Sequence, residues 1–149
     1  PLLNMNITGK KNLKLHDVWK NGPNTFLGIQ IPGFPNLFTV TGPGSPSVLT
    51  NMPMAIEQHV EWITDCISFM NQKKFTTIEA DQKSSKEWGL EVNEVANRTL
   101  LPTVKHSWYL GANIPGKPKV FMPYAGGLPR YTEVCNKVKN ENYKGFNLS

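Results

Sequence analysis

The stretch from Thr41 to Ile63, TGPGSPSVLTNMPMAIEQHVEWI, constrains the fold more than any other part of the sequence. Two glycines and three prolines lie between Gly42 and Pro53, and a regular apolar pattern follows at once. The apolar residues recur at steps of four, three, four and three, as Ile56, Val60, Ile63, Ile67 and Met70. This spacing places them on one face of an α-helix. The pattern predicts a helix over 51–73 whose aliphatic face is buried against a sheet.

Two short strands are predicted before this helix. Thr25–Ile31 alternates in polarity and is rich in branched residues, which is typical of a strand. Leu37–Gly42 is apolar at nearly every position, which indicates a strand covered on both faces. Because the second strand ends in a glycine and leads through the loop into the helix, the region resembles one βα unit.

The remaining elements are fewer and less regular. The sequence predicts a helical turn within 13–23, a short strand at 75–80, a helix over 81–100 stopped by Pro102, and a last helix within 129–143. The helix over 81–100 carries one apolar face, formed by Trp88, Val92, Val95 and Thr99. A single βα unit with long helices and few strands is a poor domain by itself. The pattern is therefore typical of the final third of a larger α/β protein.

Composition excludes several classes of protein. The 149 residues fit one domain, with 39% hydrophobic and 18% charged residues. The net charge of +5 comes from scattered basic residues rather than a basic stripe with aromatics, which argues against nucleic-acid binding. No apolar run approaches the roughly 20 residues of a membrane span. Cys66 and Cys135 lack metal-ligand spacing, so we expect no metal site, a buried free thiol at Cys66 and a reducing cytoplasm.

The loop before the long helix is a candidate ligand site. A helix N-terminus leaves free N–H groups and carries a partial positive charge, which suits an anionic ligand. Asn51 is predicted to cap this helix, and Pro53 is tolerated in its first turn. The alternative is a tight strand-to-helix turn that binds nothing. The loop has neither G-x-G-x-x-G nor G-K-[ST] spacing, so it is not a phosphate-binding motif.

The segment 103–123 is a second candidate. It holds glycines and prolines without a regular pattern, and long irregular loops inside domains are often functional lids. Its Trp108 has polar and basic neighbours suited to a nucleotide, namely Ser107, Gly111, Asn113 and Lys117. The alternative is that Trp108 only packs the loop down.

No catalytic residue is predicted within the chain. His59 and His16 are interpreted as solvated or as lying at the core edge. His106 has no nucleophile pattern around it, and no catalytic triad is recognisable. Glu57 and Glu61 are interpreted as a solvated helix face rather than an acid/base pair.

Three stretches carry a family resemblance: GFPNLFTVTGPGSPSVLTNMPMAIEQHVEWITDCI, SWYLGANIPGKPKVFMPY and NYKGF. They resemble the C-terminal part of the FAD-dependent Baeyer–Villiger monooxygenases, over about Leu2 to Leu148. The family's two Gly-rich dinucleotide motifs, its fingerprint and its catalytic arginine have no counterpart in these residues. The resemblance implies an α/β chain in which residues 1–149 form the C-terminal part of a Rossmann-like FAD-binding domain, with long helices and a mobile control loop over 103–123.

The resemblance also implies an activity. NADPH would reduce FAD, O2 would react with the reduced flavin, and oxygen would be inserted next to a ketone carbonyl to give an ester or lactone. FAD and NADP(H) are the implied cofactors, and the partners are a ketone, O2 and the N-terminal part of the same enzyme. Two alternatives stay open: a flavin monooxygenase that oxidises mainly sulfur or nitrogen, and a non-catalytic binding fragment when the chain is alone.

Site residues follow from the same resemblance. The matched positions place Leu49, Asn51 and Met52 at FAD, with the helix dipole stabilising negative charge on the pyrimidine edge of the flavin. Those that border the substrate are Ser47, Val48, Leu49 and Met52. Trp108 matches the tryptophan of the control loop that closes over NADP.

Overall fold

The computed structural model describes residues 2–47, 50–103, 108–111 and 120–149. Within these ranges it has four α-helices: α1 (Leu15–Val18), α2 (Met52–Lys73), α3 (Gln82–Asn97) and α4 (Leu128–Asn140). Two short strands are β1 (Ile78–Ala80) and β2 (Phe146–Leu148). Short 3-10 turns occur at Leu2–Asn4, Lys10–Asn12, Leu101–Thr103 and Trp108–Leu110. The architecture is mixed α/β and dominated by long helices, as the sequence predicts.

The two strands pair antiparallel, with Ile78 opposite Leu148 and Ala80 opposite Phe146. The prediction of a strand at 75–80 is confirmed. Its partner lies about seventy residues away in sequence, so the pairing joins the middle of the chain to the segment after α4. The main core lies beside this ribbon, between α2, α3 and α4, and a smaller cluster forms around α1.

Helix α2 starts and ends close to the predicted bounds, but it buries a different face. Its inner face is buried and consists of Ala55, His59, Trp62, Cys66 and Met70. Its outer face consists of Ile56, Val60 and Ile67, which are 41%, 49% and 45% exposed. Ile63 is half-buried and packs against the main core. The prediction of a buried face is therefore confirmed for Met70, which is 8% exposed, and wrong for the outer face, where a second stripe of residues takes the core position.

Helix α3 buries the predicted face, with Trp88, Val92 and Val95 between 4% and 6% exposed. Its start is defined by Asp81, whose carboxylate accepts the N–H of Ser84 at 2.8 Å. The helix ends at Asn97, so Thr99 lies beyond it and Pro102 is not the residue that stops it. Helical structure at α1 and α4 also agrees with the sequence prediction.

The two strands predicted before α2 are wrong. The described residues there form only isolated bridges, Phe26–Gln30 and Gln30–Phe38. Leu27 and Gly28 have φ of 57° and 70°, in the left-handed region, so the chain reverses instead of extending. Leu37–Gly42 pairs with the Phe26–Gln30 turn only through the bridge between Gln30 and Phe38. In the described part of the chain no strand lies beside its other residues.

None of the helices in the described ranges is long and apolar enough to cross a membrane.

Candidate cofactor-binding loop

The residues from Thr41 to Pro46 are called the Gly/Pro loop below. The backbone conformation of this loop requires a glycine at position 44. Gly44 has φ of 89°, in the region that favours glycine. A Cβ atom there would lie 3.0 Å from Nε1 of Trp88 and 3.1 Å from Oγ1 of Thr25. A side chain at Gly44 would therefore be strained by its backbone and crowded by its neighbours.

Side chains from two distant segments hold one side of the loop. Thr25 Oγ1 donates to the carbonyl of Pro43 at 2.6 Å. Trp88 Nε1 of α3 donates to the carbonyl of Gly44 at 3.0 Å, and its ring stacks on Tyr124 with centroids 5.2 Å apart. Both carbonyls thus have partners although the loop belongs to no sheet.

Backbone bonds hold the other side. The N–H of Gly44 donates to the carbonyl of Met122 at 2.6 Å, and the N–H of Tyr124 donates to the carbonyl of Ser45 at 2.9 Å. Ser45 is only 2% exposed, and its hydroxyl donates to the carbonyl of Gly42 at 2.6 Å. The loop is therefore fixed by its neighbours along most of its length.

His59 of α2 holds the start of the loop. Its Nδ1 accepts the N–H of Thr41 at 3.0 Å, and its Nε2 lies 2.7 Å from the hydroxyl of Tyr131. The imidazole is fully buried, so the interpretation of His59 as solvated or core-edge is wrong. Burial lowers the pKa of His59 to about 4, and the backbone of Thr39 partly opposes this change. The ring is therefore neutral at physiological pH.

The start of α2 is open to solvent. Asn51 is exposed and stands at the N-cap position, as predicted, but its side chain makes no capping hydrogen bond. Met52 and Met54 are 38% and 55% exposed, and the first turn holds no acidic residue. The first turn thus combines an uncompensated helix dipole with exposed apolar side chains.

An open cleft of about 1020 Å³ lies along the loop. Its wall on this side is the backbone from Thr39 to Pro43, and the residues facing it include Trp19, Leu37 and Met122. Apolar walls beside a fixed backbone suit a large, flat ligand.

The structure places only part of the predicted site. Ser47 follows the Gly/Pro loop and is half-buried, Asn51 directly precedes α2, and Met52 is its first residue. Val48 and Leu49 are outside the described residues. Trp108 begins a 3-10 turn, and its side chain is outside the described part, as are 104–107 and 112–119 of the predicted control loop.

The arrangement is suited to binding rather than proton transfer. Burial raises the pKa of both thiols, Cys66 and Cys135, to about 12, so neither is a nucleophile at neutral pH. No group of three metal-ligating side chains occurs in the described ranges. The prediction of a buried free thiol at Cys66 is confirmed.

Sequence analysis missed the residues that anchor the loop, which are Thr25, His59, Trp88 and Tyr124. One signal was available: Ala55, His59, Trp62 and Cys66 repeat at four, three and four, as the aliphatic stripe does. The other anchors come from separate segments and carry no local signal.

Solved structures similar to this chain include monooxygenases. The chain matches a cyclohexanone monooxygenase from Rhodococcus sp. Phi1 bound to NADP+, with a TM-score of 0.95 and 36% identity over 99% of this chain and 27% of that one. It also matches OTEMO in complex with FAD and NADP, with a TM-score of 0.88 and 34% identity over 97% of this chain and 26% of that one. The fold is thus that of one part of a nucleotide-binding monooxygenase.

Curated relatives agree, although no protein-family model matches the chain. A cyclohexanone 1,2-monooxygenase from Acinetobacter sp. is 39% identical over 97% of this chain and 26% of its own length. A Baeyer–Villiger monooxygenase from Pseudooceanicola batsensis is 37% identical over 93% and 25%. A phenazine N-monooxygenase from Lysobacter antibioticus is 37% identical over 97% and 26%.

The resemblance to the Baeyer–Villiger monooxygenases is confirmed by these matches, which cover nearly the whole chain. The chain spans about a quarter of the length of the curated relatives it matches.

Proposed function

We propose that this chain is the C-terminal part of the FAD-binding domain of a Baeyer–Villiger monooxygenase, which uses NADPH and O2 to convert a ketone into an ester or lactone. The observation that carries the proposal is the near-complete match, in sequence and fold, to cyclohexanone monooxygenases. The rest of the same polypeptide would supply the Gly-rich nucleotide motifs and the catalytic arginine. A cytoplasmic location is part of this proposal.

The residues at the start of α2 fit a flavin. The partial positive charge at the N-terminus of α2 would stabilise the negative charge on the edge of a reduced flavin ring. Met52 would offer an apolar contact beside that edge. Bound FAD supplies electrons to O2, and NADPH supplies the hydride that reduces FAD. In this proposal Leu49, Asn51 and Met52 hold the ring, while Ser47, Val48, Leu49 and Met52 border the ketone.

The fixed Gly/Pro loop explains why such a site needs little reorganisation. Its carbonyls and N–H groups are already paired with Thr25, Trp88, Met122 and Tyr124. The backbone groups of Pro43, Gly44 and Ser45 therefore do not compete for the free N–H groups at the start of α2.

Met52 gives the first test. In the full-length polypeptide, Met52→Ala should change the ratio of turnover between small and bulky ketones by about tenfold, since a lost contact of ~1.4 kcal/mol has that effect, while FAD remains bound. Met54→Ala is the matched control, because Met54 lies in the same turn and is exposed. Products are measured by gas chromatography and FAD by its absorbance. An equal response of both variants, or a full-length protein without a flavin spectrum, would contradict the proposal.

Trp108 and the segment 103–123 form the NADP part of the proposal. We propose that this segment closes over NADP, with the indole N–H of Trp108 offered to the ribose, and that closure excludes water from the reaction. Trp108→Ala should weaken NADP binding and let NADPH be consumed without oxygenation. Hydrogen exchange over 103–123, with and without NADP, measures closure directly. Equal protection in both states together with unchanged coupling would mean that Trp108 only packs the loop.

Nitrogen oxidation is the second candidate, favoured by the likeness to a phenazine N-monooxygenase at 37% identity. A competition between a cyclic ketone, a sulfide and an aromatic N-heterocycle in the full-length enzyme separates the two. Predominant N-oxide or sulfoxide would favour the second candidate over the first. A full-length protein that oxidises none of them and binds no flavin would leave the non-catalytic binding role.

A further inference from the structure

The contacts of His59 determine which of its ring nitrogens carries the proton. The N–H of Thr41 can only donate, so Nδ1, which lies 3.0 Å from it, must be an unprotonated acceptor. Because the ring is buried and neutral, its one proton is on Nε2. The opposite tautomer would place two N–H groups against each other at Thr41. The backbone of Thr39, which raises the pKa of His59, also lies near the ring, but the Thr41 contact at 3.0 Å is the one with hydrogen-bond geometry at Nδ1.

Tyr131 fixes the other side of the ring. Its hydroxyl lies 2.6 Å from the carbonyl of Leu27, which can only accept, so the hydroxyl proton is given to Leu27. The hydroxyl oxygen is then free to accept Nε2–H of His59 at 2.7 Å. The two rings also stack, with centroids 5.5 Å apart and an angle of 25° between their planes. Every donor along this path thus points the same way, from Thr41 through His59 and Tyr131 to Leu27.

We propose that His59, as the Nε2–H tautomer, is a positioning residue that holds Thr41 and thereby sets how the Gly/Pro loop meets the flavin. The inference rests on the proposed function for the identity of the ligand. The backbone from Thr39 to Pro43 is also a wall of the large cleft, so a shift at Thr41 would change both the loop and the cleft. His59 touches no ligand in this account and acts only through Thr41.

The path explains why a histidine stands on the inner face of α2. An apolar residue of similar size would remove one hydrogen-bond partner from the partly buried N–H of Thr41 and one from the buried hydroxyl of Tyr131. A residue with a donor toward Thr41 would repel it. The two ring nitrogens give an acceptor on one side and a donor on the other, which both neighbours require.

Two isosteric variants separate the two nitrogens. Asn places its side-chain oxygen near the position of Nδ1, whereas Gln places its amide near the position of Nε2. In the full-length holoenzyme, His59→Asn should keep the Thr41 amide protected from hydrogen exchange. His59→Gln should speed exchange at Thr41 at least tenfold and lower the ratio of product formed to NADPH consumed at least twofold, with the KM for NADPH unchanged.

A second measurement needs no variant and therefore does not depend on how well either variant folds. The ¹⁵N resonances of the His59 ring in the wild-type protein report directly which nitrogen carries the proton. We expect an unprotonated Nδ1 and a protonated Nε2.

A protonated Nδ1, or equal Thr41 exchange in the two variants, would overturn the inference and leave His59 as a packing residue. The Nε2–H tautomer and the difference in Thr41 exchange between the two variants could be found in a full-length protein that binds no flavin. The proposed function and the link to flavin would then fail, while the anchoring of Thr41 by His59 would stand. If flavin binds and both variants couple NADPH to product equally well, the proposed function survives and the positioning role falls.

Discussion

The inner and outer faces of α2 have the same spacing but different surroundings. On the inner face, Ala55, His59, Trp62 and Cys66 are each no more than 3% exposed. On the outer face, Ile56, Val60 and Ile67 are each at least 41% exposed, although they are more hydrophobic. Spacing therefore defines which residues share a face, and it does not decide which face packs.

The difference lies in directional contacts. Trp62 donates from Nε1 to the carbonyl of Cys135 on α4 at 3.0 Å, and its ring meets the edge of Tyr143 with centroids 5.1 Å apart. His59 is tied to Thr41 and Tyr131. The aliphatic side chains of the outer face have no hydrogen-bonding groups, so they can pack against an apolar surface but do not form directional contacts. The polar atoms of the inner face set the rotation of α2 in this chain.

The largest effect is expected from truncating the inner face. Trp62→Ala should lower the free energy of unfolding of the 149-residue chain by about 3–5 kcal/mol, because it leaves a large cavity and removes the hydrogen bond to the carbonyl of Cys135. Val60→Ala, on the outer face, is the matched control and should change it by less than about 0.5 kcal/mol. Urea denaturation followed by circular dichroism measures both. Similar losses in the two variants would mean that the faces do not differ energetically.

The rate of thiol modification should differ between the inner and outer faces of α2. Burial raises the pKa of Cys66 to about 12, so at pH 8 only about one in ten thousand of its side chains is thiolate. An introduced thiol in Val60→Cys would have an ordinary pKa and be exposed. Iodoacetamide should therefore modify it roughly a thousandfold faster or more than Cys66, as read by peptide mass spectrometry. Comparable rates would show that the inner face opens often in the native state.

Acidification should weaken the inner face at His59. Its pKa is about 4 in the folded state, below the ordinary value of 6.5, so the unfolded chain takes up the proton first as pH falls. Stability should be unaffected above about pH 6.5 and decline by up to about 3 kcal/mol by pH 4. Tyr131, which contacts the ring from α4, and Cys135, one turn further along α4, keep their protons in this window because burial raises the pKa of both.

The control for this window is His59→Asn, which does not titrate. Carboxylates affect wild type and variant alike, so the difference between their urea midpoints at pH 7 and pH 4 isolates His59. A difference that stays constant with pH would show that the imidazole is not held neutral.

The smallest effect is expected at Ile67. Ile67→Ala should change the stability of the 149-residue chain by less than about 0.5 kcal/mol, since the side chain is 45% exposed. The same substitution in the full-length polypeptide sharpens the comparison. A loss of 2 kcal/mol or more there, on the scale of a buried isoleucine, would show that the outer face is covered by the rest of the protein.

Helices were the predictable part of this fold. The periodicity of α2 and α3 located both within a few residues, and β1 lies within the short segment 75–80 that the sequence predicts as a strand. Asp81 caps α3 with its carboxylate as its residue type favours, whereas Asn51 stands at the N-cap of α2 without a side-chain hydrogen bond. Local signals such as period and stop residues act over one or two turns, which is why they succeed for helices.

Contacts between distant segments were not predictable. Leu27 adopts a left-handed conformation that leucine rarely takes, and its carbonyl accepts a bond from Tyr131, 104 residues away. His59 looked like an ordinary helix residue because Thr41 and Tyr131 reach it only through the tertiary fold. The role proposed for Met52 rests on the family resemblance, since no local pattern distinguishes Met52 from Met54.

The way the Gly/Pro loop is held also bears on when it takes its shape. Thr25 and His59 each lie 18 residues from their loop partners, and Trp88 lies 44 residues from its own. Closing these segments onto one another loses chain entropy before the hydrogen bonds can compensate, so such contacts form late in folding. Helices α2 and α3 can form earlier from local contacts. The loop should thus be among the last parts of the chain to order, and a cofactor that requires it would be taken up only by molecules that have already finished folding.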